Sequence, residues 1–243
     1  MTAAGDDEFK RDLESITRHY TERFLPASPW ASLLNAHPYL CQRQRQRRMR
    51  QVLMECGVRT PEALRELDVL DVGCGAGTNL SWLIDLGADA SRLTGVDLLE
   101  PRIEAARARF AGIRFLSGDF VKADVGGPFD LVMMLAVLSS VLNPALKQRL
   151  MEKALSLVKP GGIFFFYDLV TRKQLAGNAN LRYLTFAELE GYVAPRKLRY
   201  FRRDFLSDRV AERIVPRWGV AVAEFVQSTG LFNIDSTFAY CRG

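Results

Sequence analysis

An acid and three alternate glycines, Asp71, Gly73, Gly75 and Gly77, stand together in the stretch VLDVGCGAGTNL at positions 69–80. Glycines at alternate positions permit a tight turn and let a ligand approach the backbone closely. A G-x-G-x-x-G dinucleotide loop carries its third glycine where Thr78 stands and cradles a diphosphate at a helix N-terminus. A carboxylate two residues before the first glycine repels a diphosphate and favours a ligand bearing an ammonium or a sulfonium cation. Asp97 follows at the interval where nucleotide sites place an acid on the ribose hydroxyls. That spacing serves NAD equally, so it specifies a ribose ligand more firmly than it specifies which one.

The surrounding pattern supplies strands and helices to hold these groups. Val69, Leu70 and Val72 are the side-chain types of a strand buried on both faces, and from Thr78 the apolar positions Leu80, Leu83 and Ile84 predict a helix stopped at Gly87. Leu93–Val96 reads as the second strand, with Asp97 at its end and Pro101 early in the next helix. GIRFLSGDF gives a third strand ending near Asp119, and Phe129–Leu135 a fourth. Asn143 and Pro144 open a helix that ends near Val158; Pro160, Gly161 and Gly162 then turn the chain into a fifth strand, IFFFYDLV, which carries Tyr167 and Asp168. Strand and helix alternate throughout, so the fold class is α/β, a doubly wound, seven-stranded, mostly parallel sheet with helices on both faces. Ligands of such sheets bind at the carboxyl ends of the strands, where Asp71, Asp97, Asp119, Ala136 and Asp168 all fall.

S-adenosylmethionine carries both an ammonium and a sulfonium. D-x-G-x-G-x-G at 71–77, Asp97, the SGDF acid Asp119, FDLV at 129–132 and LVKPGG at 157–162 together resemble the ordered motifs of class I S-adenosylmethionine-dependent methyltransferases. The region from Tyr167 onward is similar to bacterial small-molecule and glycan methyltransferases. The resemblance implies Gly73 and Gly75 beside the methionine moiety, Asp97 with Leu98 on the ribose, Asp119 on the adenine amino group, Phe120 near the ring, and Leu135 or Ala136 flanking the sulfonium. It also implies an N-terminal helix lying over the cofactor, with His19 and Tyr20 near the reactive methyl. Many relatives place an acid and a histidine after the fourth strand; Ser139 and Ser140 stand there instead, which rules out a histidine base at that point. Asp168 is the first candidate to accept a proton from a hydroxyl acceptor or to orient it, with His19 second.

Apolar positions Phe9, Leu13, Ile16 and Tyr20 predict the N-terminal helix, and a second helix runs to Gly57 with its arginines outward. Residues 1–60 are thus expected to form a helical cap, and 61–243 the cofactor-binding catalytic domain. Thr171–Leu184 reads as a polar loop, Thr185 and Glu188 as a capping box, and KLRYFRRDFL as the sixth strand. Ser207 and Asp208 then cap a helical insertion between the last two strands, interrupted at Pro216. Within 171–230 these segments are expected to cover the substrate.

The chain of 243 residues has no apolar run long enough for a membrane span, and its polar, acidic N-terminus does not read as a signal peptide, so a cytoplasmic location is expected. Cys41, Cys56, Cys74 and Cys241 lack C-x-x-C spacing, and His19 and His37 lack carboxylate partners at ligand spacing, so no metal is expected. The expected partner is a small-molecule or glycan acceptor, methylated on oxygen by a monomer or homodimer. Arginines at 43, 45, 47, 48 and 50 and between 196 and 217 motivate an RNA acceptor as the alternative, although nucleic acid is not the expected partner. A non-catalytic partner-binding protein would not need the full set of Asp71, Gly73, Gly75, Asp97 and Asp119. An NAD-dependent oxidoreductase is disfavoured by Asp71 and Thr78.

Overall fold

The computed structural model describes residues 13–14, 16–18, 20–21, 32–172, 181–202 and 204–243. His19 lies outside them, as do positions 173–180 of the polar loop. Those described within the predicted N-terminal helix are helical.

Helix α1 (Ala36–Glu55) and the short α2 (Pro61–Arg65), capped by Thr60, precede strand β1 (Val69–Val72). The chain then alternates through α3 (Thr78–Asp85), β2 (Leu93–Asp97), α4 (Glu100–Arg109), β3 (Arg114–Ser117), β4 (Phe129–Leu135), α5 (Pro144–Ser156) and β5 (Val158–Asp168). Two-residue strands β6 (Val170–Thr171) and β7 (Leu184–Thr185) pair in parallel and close the polar loop; α6 (Phe186–Val193), β8 (Arg199–Arg202), α7 (Asp208–Thr229) and β9 (Thr237–Arg242) complete it. The seven-stranded sheet has the order β3-β2-β1-β4-β5-β9-β8, parallel except where β9 runs antiparallel to β5 and β8. Strand order reverses at β1, which has β2 on one side and β4 on the other. Ligand clefts open at such a reversal.

Successive residues of a strand point to opposite faces, and here both faces are apolar. Val69, Leu131, Met133, Ile163, Phe165 and Phe238 pack with α1 to α4, and Leu70, Val132, Met134, Phe164 and Phe166 with α5 and α6. Unbroken apolar runs such as FDLVMML and IFFFY are the sequence form of that double burial.

Asn143 Oδ1 caps α5 by accepting from Ala145 N (2.8 Å) and Leu146 N (3.1 Å), and the Thr185–Glu188 capping box forms as predicted. Three expectations change. β5 starts at Val158, five residues before the predicted strand: Val158 already pairs with Phe129, and Pro160–Gly162 form an irregularity within the strand, with Gly161 at φ 75°. Ser207 makes no side-chain cap at α7. The break in α7 falls at Gly219 (φ 80°, ψ 174°) rather than at Pro216, whose ring the helix accommodates.

That break folds α7 back on itself. A straight helix of its length would hold its ends about 33 Å apart, yet Leu206 N donates to Gln227 Oε1 (3.2 Å) and Ser207 N to Phe232 O (3.0 Å). The two segments pack Ala211, Ile214 and Ala223 with Leu40 and Leu206 in a satellite core against α1. A polar network beside it ties the pieces together: Asp204 accepts from Gln44 Nε2 (3.0 Å) and Arg48 Nε (2.9 Å), and Gln227 Nε2 donates to Gln44 Oε1 (3.3 Å). Arg48 is therefore turned inward, against the expectation of an outward arginine face.

Removing one member of a buried ion pair leaves the other charge without compensation. Asp204→Ala should lower the unfolding free energy by about 2–4 kcal/mol in urea titration; a loss within experimental error would show that Arg48 finds water instead.

Candidate active site

The β1–α3 turn forms the floor of a cleft at the carboxyl edge of the sheet. Gly73 N and Cys74 N both donate to Val96 O (2.8 and 3.1 Å), and Gly75 N donates to Asp97 Oδ2 (2.8 Å), which fastens the turn to the end of β2. All three alternate glycines have positive φ, at 74°, 56° and 79°. A Cβ on Gly73 would lie 2.6 Å from Val137 Cγ2, and one on Gly75 would enter the Arg102 guanidinium. Both the backbone twist and the space thus require glycine.

Asp71 lies fully buried beneath this turn. Asn79 Nδ2 donates to its Oδ2 at 3.4 Å, while Oδ1 has no partner among the described residues. Burial pushes its pKa up to about 7; Asn79 opposes the rise and the charge of Asp97 adds to it. A half-satisfied buried carboxylate is costly without a cation or donor beside it.

Asp97 ends β2, and its Oδ1 accepts from Leu99 N (3.0 Å). Arg102 Nη1 stands 3.8 Å from Asp97 Oδ2, and its guanidinium lies 6.0 Å over the Tyr20 ring. Asp119 Oδ1 accepts from Val121 N (2.9 Å), and Lys122 Nζ is 3.9 Å from Oδ2. Lys153 of α5 holds the segment after β3 from below, donating to the carbonyls of Phe120 (2.7 Å), Val121 (3.2 Å) and Ala123 (2.5 Å) under the Phe120 ring. At the end of β4, Ala136 takes φ 60°, a conformation that costs a residue with a Cβ about 1–2 kcal/mol; its N–H donates to Tyr167 O at 2.7 Å.

The cleft encloses about 750 Å³ including its open mouth. Of the predicted residues it brings together Gly73, Asp97, Leu98, Asp119, Phe120, Ala136 and Tyr20, joined by Leu13 and Ile16 from the N-terminal helix. Asp71, Gly75, Gly77 and Leu135 stand outside its lining. Tyr20 Oη hydrogen-bonds Ser140 Oγ directly across the opening, joining positions 120 apart in sequence. Ser140, Arg102 and Lys153 escaped sequence reasoning; only Ser140, flagged as a departure from relatives, carried a signal.

Asp168, expected to handle a proton at the acceptor, is fully buried and outside the lining. Its Oδ2 accepts from Ser139 N (3.0 Å) and its Oδ1 from Leu169 N (2.8 Å). Burial raises its pKa, opposed by these hydrogen bonds and by the charge of Lys147. It therefore holds the 138–140 turn that carries Ser140. Cys74 is buried, its thiol pushed far up by desolvation, which removes it as a nucleophile.

The unpartnered Asp71 oxygen, the glycine cradle and the acids at Asp97 and Asp119 fit a cationic adenosyl ligand such as S-adenosylmethionine. A parallel sheet with this reversal and this cleft is a nucleotide-binding fold. Residues 41–213 match the methyltransferase domain family, and the chain belongs to that family. It is 28% identical over 149 residues to an arsenite methyltransferase of Aquipseudomonas alcaligenes, covering 56% of this chain and 42% of the relative. It is 31% identical over 109 residues to a ubiquinone biosynthesis O-methyltransferase of Caulobacter vibrioides, covering 42% of this chain and 41% of the relative. The matched stretch thus spans about two fifths of each of these relatives. Its fold is shared with DhpI, solved as a complex with SAH: the TM-score is 0.54 at 17% identity, over 95% of this chain and 96% of the other.

Folded, Asp71 holds its proton up to about pH 7, against an ordinary 3.8. Unfolding then releases a proton between those values, so this residue's contribution to stability falls as pH rises through that window. An ammonium held beside it would favour the ionised form. S-adenosylhomocysteine should therefore bind more tightly as pH rises towards 7, by up to about tenfold per unit, with both dependences flattened in Asp71→Asn. A dependence unchanged in that variant would assign the titration elsewhere.

Proposed function

We propose that this protein transfers the methyl group of S-adenosylmethionine to a hydroxyl of a small-molecule or glycan acceptor. The observation that carries the reading is the hydrogen-bonded Tyr20–Ser140 pair in the cleft, beside Ala136 and Val137. When bound, S-adenosylmethionine supplies a methyl carbon made electrophilic by its sulfonium. The glycine turn, with Asp71 beneath it, would hold its amino-acid end, Asp97 with Leu98 its ribose, Asp119 and Phe120 its adenine, and Leu135 or Ala136 would flank its sulfur.

Methyl displacement needs an in-line acceptor about 3 Å from the carbon, so positioning supplies much of the rate. A serine oxygen has two lone pairs. Where Tyr20 Oη donates to one, the other would accept from a hydroxyl entering the cleft and orient its oxygen towards the methyl; either hydroxyl of the pair can be the donor. Asp168 acts through the backbone of the 138–140 turn to keep Ser140 in place. The N-terminal helix, through Leu13, Ile16 and Tyr20, would close over the acceptor, whereas no described residue within 171–230 lines the cleft.

The relatives' names point to different acceptors. Arsenite is thiophilic, and soft acceptors call for thiolate ligands; no cysteine stands among the described residues lining the cleft. The Caulobacter relative is named for O-methylation, and hydroxyls are what Tyr20 and Ser140 present. For an RNA acceptor, Arg43 pairs with Glu224 (2.5 Å) and Arg48 with Asp204, which withdraws two of the five α1 arginines.

Incubation with S-adenosylmethionine and panels of sugars, phenols and hydroxy acids, read by mass spectrometry, should give an O-methyl product. Tyr20→Phe and Ser140→Ala should each lower kcat by about tenfold or more while leaving S-adenosylhomocysteine affinity within about twofold. Methyl appearing only on nitrogen, or a loss confined to cofactor affinity, would contradict this assignment.

A further inference from the structure

Of eight large apolar side chains exposed among the described residues, five fall between positions 218 and 232. Trp218 is 62% exposed, Val222 40%, Phe225 70%, Leu231 74% and Phe232 55%. They belong to the hairpin made when α7 folds back at Gly219. Its inner side is already satisfied by the satellite core, so these residues are surplus to packing. Trp218 adjoins the bend, Val222 and Phe225 are three apart on one helical side, and the left-handed Gly230 leads into Leu231 and Phe232. The patch is also fixed in place: the Phe232 carbonyl accepts from Ser207 N, and Asn233 Nδ2 donates to Gln227 O at 2.8 Å. α1 begins at the side of this hairpin, where His37 N donates to Glu212 Oε1 (3.2 Å), and exposed Leu33 and Leu34 precede it.

Taken together, the two helices that carry and flank the patch are basic, with the excess on α1. α1 and α7 carry eight arginines and four acids. Glu224 pairs with Arg43, while Glu212 and Asp208 accept the backbone N–H groups of His37 and Arg209. Arg47, Arg50, Arg209, Arg213 and Arg217 are exposed, and no ion pair joins any of them to a described residue. An apolar patch rimmed by arginine with a tryptophan among its members matches the headgroup boundary of an anionic bilayer, where indoles favour the interface and each basic residue gains from surface potential. A second copy is a poorer match, because an isologous contact would bring two arginine-bearing patches of like charge together. No helix of the described residues is long and apolar enough to cross a membrane, so the contact is with its surface.

We propose that the hairpin spanning 207–232 docks this protein on the surface of a membrane containing anionic phospholipid. Trp218, Val222, Phe225, Leu231 and Phe232 enter the boundary between headgroups and acyl chains, and Arg213 and Arg217 meet lipid phosphates. The contact is independent of which acceptor the cleft takes.

Flotation of the full chain with vesicles separates the possibilities. Vesicles containing phosphatidylglycerol should carry the protein at low salt, and vesicles of phosphatidylcholine alone should carry at least about tenfold less. The paired variants Trp218→Ala/Phe225→Ala and Arg213→Glu/Arg217→Glu should each reduce the bound fraction by a similar factor, while retaining S-adenosylhomocysteine binding as proof of folding. Binding to neither vesicle would overturn the proposal, as would vesicle binding indifferent to both variants. A concentration-dependent dimer in sedimentation velocity that Trp218→Ala/Phe225→Ala dissociates would also overturn it and assign the patch to a second copy.

Discussion

The Asp97 carboxylate joins the parts from which the cleft is made. One oxygen receives Gly75 N of the glycine turn, the other Leu99 N at the start of α4, and Arg102 stands beside it facing Tyr20 of the N-terminal helix. Hydrogen bonds to a charged acceptor are stronger than neutral ones. At the floor of the cleft, these bonds fix how β1 and β2 present their ends. Asp71, one strand away and wholly buried, holds its proton up to about pH 7 and would ionise most readily beside a cation. The two acids would thus favour a cationic ligand over a diphosphate.

The parts legible in sequence are the ones built from near neighbours. The glycine turn, the acids at Asp97 and Asp119, the Asn143 cap and the Thr185–Glu188 box each depend on residues a few positions apart, and so does the alternation that gave a parallel sheet. What escaped depends on contacts far apart in the chain. Tyr20 meets Ser140, Lys153 of α5 holds the carbonyls after β3, and Arg102 fills the space that Gly75 leaves. Asp168 was legible as a strand-end acid but not as a buried one, because only the folded turn shows that Ser139 N and Leu169 N take up its oxygens. Proline at 216 reads as the breaker by local rules, yet the chain turns at Gly219, which alone can adopt φ 80° there without strain.

The chain treats its two helical layers differently. Around the sheet both faces are apolar, and among the polar groups that enter, Asp71 keeps one oxygen without a partner among the described residues. At α1 and α7, cohesion comes from a small apolar cluster and from the Gln44–Arg48–Asp204–Gln227 network, with large apolar side chains left outside. A layer joined by directional bonds keeps its geometry while its outer surface is free to serve another contact. The cleft and the α7 hairpin are thus separable features of one fold.

The central claim is that the glycine turn with Asp71 and Asp97 selects a sulfonium nucleoside over a dinucleotide. Calorimetric titration of the protein with S-adenosylhomocysteine and, separately, with NADH tests it directly, with Asp97→Ala as the control. Micromolar binding of S-adenosylhomocysteine alone, lost in the variant, is the predicted result. Binding of NADH with comparable affinity, or of neither ligand, would contradict it.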